Sequence, residues 1–229
     1  SNCNWERPIC LAISVGGDVS KLKFDNYFVQ EGLAYRFTPF DYKTSGEAEQ
    51  GASNAIDVEK MYTNVMTHYK YGGLEVPGIY IDETTMRLCY SHRILFAKLA
   101  LELLRQNDTD LAQKVLDRAE QVISDRNVPM VYESGAFDMA KAYCWLGDHA
   151  KTMKIIRYLI AESADYIHWA FSLGSENMSM VKQECLYKFW QWNQYNEFLR
   201  SVDQQAYRQS NNEFERQYNS FSQLSKVEK

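Results

Sequence analysis

Asp82 and Glu83 are adjacent carboxylates at the end of a short apolar piece, and such a pair can divide acid and base work on a bound substrate. His92 follows them at helical distance. The same carboxylates also suit a helix start, one as N-cap and the other as a favourable charge in the first turn, and this reading is preferred. The four histidines, His68, His92, His149 and His168, have no spacing that would set two ligands on one metal. Five cysteines are scattered, odd in number and without a Cys-x-x-Cys pair, which argues against both a metal site and a disulfide framework. Cys89, Cys144 and Cys185 fall in apolar helical patterns and read as small core residues. Gly16-Gly17 lacks the rest of either phosphate-cradling signature and reads as a turn. No serine sits in a nucleophile elbow. The aromatic stretches HWAF (168–171) and LYKFWQWNQY (186–195) could stack a sugar or grip a peptide, although aromatics at helical spacing more often fill a core. No pattern implies a cofactor.

The composition sets bounds on the rest. With 45% hydrophobic and 24% charged residues over 229 positions, the chain matches an ordinary globular protein with a substantial core. Its net charge of -5 argues against a nucleic-acid partner. No apolar run approaches the roughly 20 residues of a membrane span, and no secretory signal is visible near Arg7 and Pro8.

The elements that must position these residues follow from periodicity. The apolar run 9–15 reads as a covered strand ended by Gly16-Gly17, residues 24–30 as a short helix stopped by Gly32, and 33–38 as a second, alternating strand. Strand, helix and strand make a small α/β cap. Residues 41–55 are polar and small, hence a loop. Asp57 caps a helix to about Tyr69, with Val58, Met61 and Val65 inward. Helices then follow at 84–105, from Asp108 or Thr109 onward, at 136–146, and from Asp148 onward. A shorter helix is expected near 164–173. A long one from Glu176 is expected to break at Trp192-Asn193, and the polar tail beyond Ser210 to fray.

The stretch MAKAYCWLGDHAKTMKII (139–156) sets Ala140 and Tyr143 before a turn at Gly147, between two amphipathic helices. That arrangement resembles a tetratricopeptide repeat. A weaker copy turns at Asn107 and a third is expected to turn at Asn193, so the turns stand 40 and 46 residues apart, against an ideal of about 34. The expected architecture is mainly α: a tetratricopeptide-like array of α-α hairpins over residues 57–229, packed against the α/β cap and mobile loop of residues 1–56.

Four segments in order, NWERPICLAISV, DNYFVQEGLAYRFTPF, MYTNVMTHYKYGG and PGIYIDETTMRL, are similar to landmarks of a large, mostly Bacteroidetes family of polytopic membrane proteins of unknown function. The membrane half of that family resembles lipid-sugar-dependent protein O-mannosyltransferases. The resemblance covers residues 4 to 160, with Cys10 in place of an aromatic. It implies that this chain is the C-terminal soluble part of a longer glycosyltransferase-like protein, with Trp5 to Pro8 at the exit from the membrane. It implies an extracytoplasmic, periplasmic location, with the parent's own membrane half as a partner. The acidic residue such enzymes use has no counterpart here, so no catalytic residue is carried over.

The resulting expectation is a non-catalytic interaction domain that contacts an acceptor protein or peptide. Tyr90, Tyr132, Trp145 and Trp169, aromatics flanking the repeat turns, are its candidate groove residues. The alternative is a sugar-binding or enzymatic domain using Asp82, Glu83 and His92, with a site between cap and helices.

Overall fold

The computed structural model describes residues 7–18, 25–41 and 55–224. Among them the fold is mainly α, with a small α/β cap ahead of the helices. The chain forms two compact units, Ser1–Val128 and Pro129–Lys229. The sequence boundary at 56–57 marks a change of secondary structure inside the first unit.

In the first unit, four short strands form one sheet: β1 (Cys10–Ala12), β2 (Phe28–Gln30), β3 (Ala34–Phe37) and β4 (Ala55–Ile56), in the order β1-β3-β2-β4. β3 pairs antiparallel with both β1 and β2, and β4 runs parallel to β2. The expected helix at 24–30 is therefore not formed. A single 3-10 turn, Asp25–Tyr27, leads into β2, whose three residues are all buried between neighbours on both sides. The apolar run from Ile9 is strand only to Ala12, because Ile13–Asp18 winds into 3-10 geometry. Ser1 to Glu6, including Trp5, and most of the expected 41–55 loop lie outside the described residues.

The cap is fastened to α1 (Val58–Thr63), whose N-cap Asp57 accepts from the Lys60 amide. The Glu31 carboxylate meets Arg36 Nε at 2.5 Å and Lys60 Nζ at 2.9 Å. The Asn64 side chain donates to the Glu31 carbonyl at 2.7 Å, and the Leu33 amide donates to the Tyr69 hydroxyl at 2.9 Å. Between β2 and β3 the chain passes Gly32 at φ +135°, a conformation that side chains resist.

The remaining helices are α2 (Glu83–Arg105) and α3 (Thr109–Val122) in the first unit, and α4 (Ala136–Trp145), α5 (His149–Ser172), α6 (Ser175–Val202) and α7 (Gln204–Leu224) in the second. α2 packs on α3, α4 on α5, α5 on α6, and α7 on both α5 and α6. The second half of α2 is buried on several sides through Leu95, Phe96, Leu99, Ala100, Leu103 and Leu104, as its nearly all-apolar composition requires.

The turns of the α2–α3 and α4–α5 hairpins share one design. Asn107 (φ +62°) and Gly147 (φ +81°) each take the left-handed position that ends the first helix. The amides of Asp108 and Asp148 donate to Leu103 and Tyr143 carbonyls at 2.9 Å in each case. Their carboxylates then accept from the amides of Leu111 and Lys151, at 3.1 and 2.9 Å. Every one of these bonds in the first turn has its counterpart forty positions later. The buried positions keep the same offset: Leu99 with Met139, Ala100 with Ala140, Leu103 with Tyr143, Ala112 with Thr152, and Leu116 with Ile156. Replacing either Asp108 or Asp148 by alanine is expected to cost about 1 kcal/mol through loss of the cap, read as a lower melting temperature.

Three helix boundaries differ from expectation. α5 continues from His149 to Ser172 as one helix, taking in the segment expected to be separate, and α6 passes Trp192-Asn193 without a break, so no hairpin turn exists at Asn193. Trp192 is fully buried and its Nε1 donates to Ser210 Oγ at 2.8 Å, which holds that part of α6 helical against α7. The polar tail is helical as far as Leu224, because Phe221 joins Ile167, Met178, Phe189 and Trp192 in a shared core.

Candidate functional site

Within the second unit, an aromatic cluster gathers around Tyr132, in the 3-10 turn Tyr132–Ser134 that leads into α4. Tyr187 and Trp190 stand three residues apart on α6, so a helix places them on one face. Their rings are nearly parallel (12°), with centroids 5.7 Å apart. Tyr132 stands across both, at 88° to Tyr187 (6.4 Å) and 78° to Trp190 (5.5 Å). Behind it, Phe137 meets Tyr195 at 5.1 Å and Phe198 at 5.6 Å, edge to face. Tyr195 is fully buried, but Trp190 remains 46% and Tyr187 37% exposed. The result is a part-exposed corner, two rings stacked on each other with Tyr132 edge-on to both, set on a packed aromatic base.

A polar seam runs beneath it. Gln191 Nε2, fully buried, donates to Glu133 Oε1 at 2.8 Å and fixes that carboxylate beside Tyr132. Lys188 is buried and bonds both carboxylate oxygens of Glu162, at 2.9 and 3.1 Å. Burial raises the pKa of the Tyr195 hydroxyl, and the Glu162 and Glu133 charges add to the effect. Burial likewise raises that of Tyr132, with smaller contributions from Tyr187, Asp138 and Glu133. Both phenols therefore stay neutral and polar at physiological pH. One further carboxylate, Asp138, takes Lys141 at 2.9 Å, and the same ammonium lies 4.2 Å from the Phe137 ring centre.

The four sequence-derived groove residues are dispersed. Tyr132 stands edge-on to the stacked pair in the corner. Trp145 ends α4 and is 56% exposed, and Trp169 lies on α5, 50% exposed, against Tyr166 at 5.2 Å. Among the described residues no ring contact joins any two of these three. Tyr90 lies on α2 in the first unit. Tyr187 and Trp190 belong to the aromatic stretch 186–195 that could grip a peptide, but the sequence does not single them out within it. Their three-residue spacing was visible, but the neighbouring Phe189 and Trp192 are buried, and periodicity alone does not tell which aromatic face turns outward.

The residues of the enzymatic alternative have local structural roles. Asp82 caps α2, accepting from the amides of Thr84 and Thr85 at 3.0 and 3.1 Å, and the Thr85 hydroxyl holds its carboxyl below the usual range. Glu83 pairs with Arg87 at 2.6 Å. His92 lies roughly 15 Å further along the helix. It is wedged edge-to-face against Tyr69 (6.2 Å) and Tyr71 (5.2 Å), and burial lowers its pKa. The three do not converge on a common point. Cys89 and Cys185 are buried and Cys144 is half-buried, all as thiols. Among the described residues, no group of three or more His, Cys, Asp or Glu side chains could hold a metal ion, and no helix is long and apolar enough to cross a membrane.

Residues 1–60 match the family model described as TMEM260-associated domain 2. No curated protein matches the chain, and no solved structure does.

Proposed function

We propose that this chain is a non-catalytic interaction module belonging to a membrane-embedded, glycosyltransferase-like protein, and that its helices present a surface to an acceptor protein or peptide. The observation that carries the reading is the part-exposed corner of Tyr132, Tyr187 and Trp190, held by buried Phe137 and Tyr195 and half-buried Phe198. Rigid aromatics on a packed foundation contribute binding energy at little entropic cost, which is why interfaces favour them. The repeated turns of the α2–α3 and α4–α5 hairpins support a tetratricopeptide-like origin, an architecture that works by presenting surfaces. The match of the first sixty residues to a domain named for its association with a transmembrane protein supports a membrane-bound context. In this reading the module lies on the extracytoplasmic side, and the parent's membrane half is a second partner.

The test is binding of candidate acceptor polypeptides by the purified chain, compared with Tyr132→Ala and Trp145→Ala variants. The Tyr132→Ala change is expected to weaken binding at least about tenfold, as for a central aromatic anchor. Trp145→Ala is expected to act only if the surface extends along α4. Binding unchanged in both variants, with the fold intact, overturns the assignment. Saturable hits on a glycan array without polypeptide binding would favour a sugar-binding domain.

A further inference from the structure

Resting on that reading, we infer that the corner formed by Tyr132, Tyr187 and Trp190 with Glu133 receives a cationic side chain, an arginine or lysine of the partner polypeptide. The faces of aromatic rings attract cations, Trp most strongly, and an adjacent carboxylate adds a directional ion pair. Both features are present at the corner. Trp190 and Tyr187 stack on each other and stay part-exposed, so the outward ring surface of the stack is what a cation would meet, Tyr132 stands edge-on to both, and Glu133 lies next to Tyr132 in sequence and is oriented by Gln191. The side-chain oxygen of Gln191, buried without a partner among the described residues, is a further acceptor on the same seam.

The charges nearby are consistent with this occupant. Lys188 is committed to Glu162, and Lys141 to Asp138. Among the described residues no ion pair engages Glu133, so its carboxylate, which accepts from Gln191 beside Tyr132, has no counter-charge of its own. The chain also contains a small version of the proposed contact: Lys141 sits 4.2 Å over the Phe137 ring while its ammonium pairs with Asp138. An anionic partner would meet Glu133 at close range, and a purely apolar one would leave that carboxylate without a counter-charge.

The experiment titrates the intact chain with three short peptides of equal length, built on Gly-Ser-Arg, Gly-Ser-Gln and Gly-Ser-Glu repeats, following Trp emission and heat of binding. The arginine peptide is expected to bind most tightly and to weaken with added salt. Trp190→Ala should reduce its affinity roughly tenfold and Glu133→Gln roughly threefold to tenfold, whereas Trp190→Phe, which keeps an aromatic face, should retain most of it. Thermal melts verify that each variant is folded. Equal binding of all three peptides, with loss in Trp190→Ala but not in Glu133→Gln, would overturn the cation assignment and leave the interaction surface standing. Arginine-peptide binding that ignores Trp190→Ala would overturn the placement of the cation at this corner. Absence of binding by all three would overturn the cation assignment too, and polypeptide binding in the Tyr132→Ala comparison then decides the broader reading separately.

Discussion

Gly32→Ala is expected to destabilise the first unit by about 2–4 kcal/mol, and the cause lies in two places. The backbone at φ +135° is open to glycine and strained for any residue with a Cβ, a cost of about 1–3 kcal/mol. The added methyl would also run into the Tyr69 hydroxyl and stand 3.0 Å from the ring carbon bearing it. Tyr69 would have to withdraw, and the Leu33 amide that donates to it at 2.9 Å would lose its partner, adding about 1 kcal/mol or more. A double-mutant cycle separates the two terms. Tyr69→Phe alone should cost about 1 kcal/mol. In that background Gly32→Ala should become milder, because the clash is relieved while the backbone strain stays. Additive effects would show that the hydroxyl contact contributes nothing. The measurement is urea unfolding, with the signal of the first unit resolved by hydrogen exchange.

Arg93→Ala is expected to cost about 3 kcal/mol. The guanidinium arises from α2, is only 1% exposed, and donates from Nη2 to the Val128 carbonyl at 2.7 Å and to Asp125 at 3.2 Å. Truncation opens a cavity around a long side chain and leaves the Val128 carbonyl buried without that donor. Arg93→Met keeps much of the apolar stem, so it should recover part of the loss. Asp125 is half exposed, so Asp125→Asn should cost under about 1 kcal/mol. If Asp125→Asn proved as damaging as Arg93→Ala, the ion pair would outweigh burial and backbone bonding, contrary to this account.

The helical architecture was legible because it is written in local chemistry. Asp57, Asp82, Asp108 and Asp148 are capping residues that accept from amides in the first turn, and Gly147 is a helix stop; short-range hydrogen bonds suffice to specify them. What failed depended on distant partners. Residues 28–30 carry too few positions to distinguish helix from strand, and their state is set by pairing with β3 and β4. A break in α6 was expected at Trp192-Asn193. Burial of Trp192 and its bond to Ser210, eighteen residues on, hold that segment helical instead. α7 is polar by composition, yet the few apolar residues on one face are enough to dock it. The candidate site was half legible for the same reason. Tyr132 was singled out as an aromatic beside a turn, whereas Tyr187 and Trp190 acquire their role only when α6 turns them toward it.

The most direct measurement uses the five tryptophans of the chain as reporters. Each indole N–H gives a separate NMR signal, and the Trp190 signal is assigned by its loss in Trp190→Phe. On titration with an arginine-containing peptide, the Trp190 indole is expected to shift saturably, while that of buried Trp192, two residues away, stays nearly still. Shifts induced by free sugars and not by peptide, or shifts centred on the Asp82–His92 region with Trp190 unmoved, would contradict the claim that this surface holds a polypeptide.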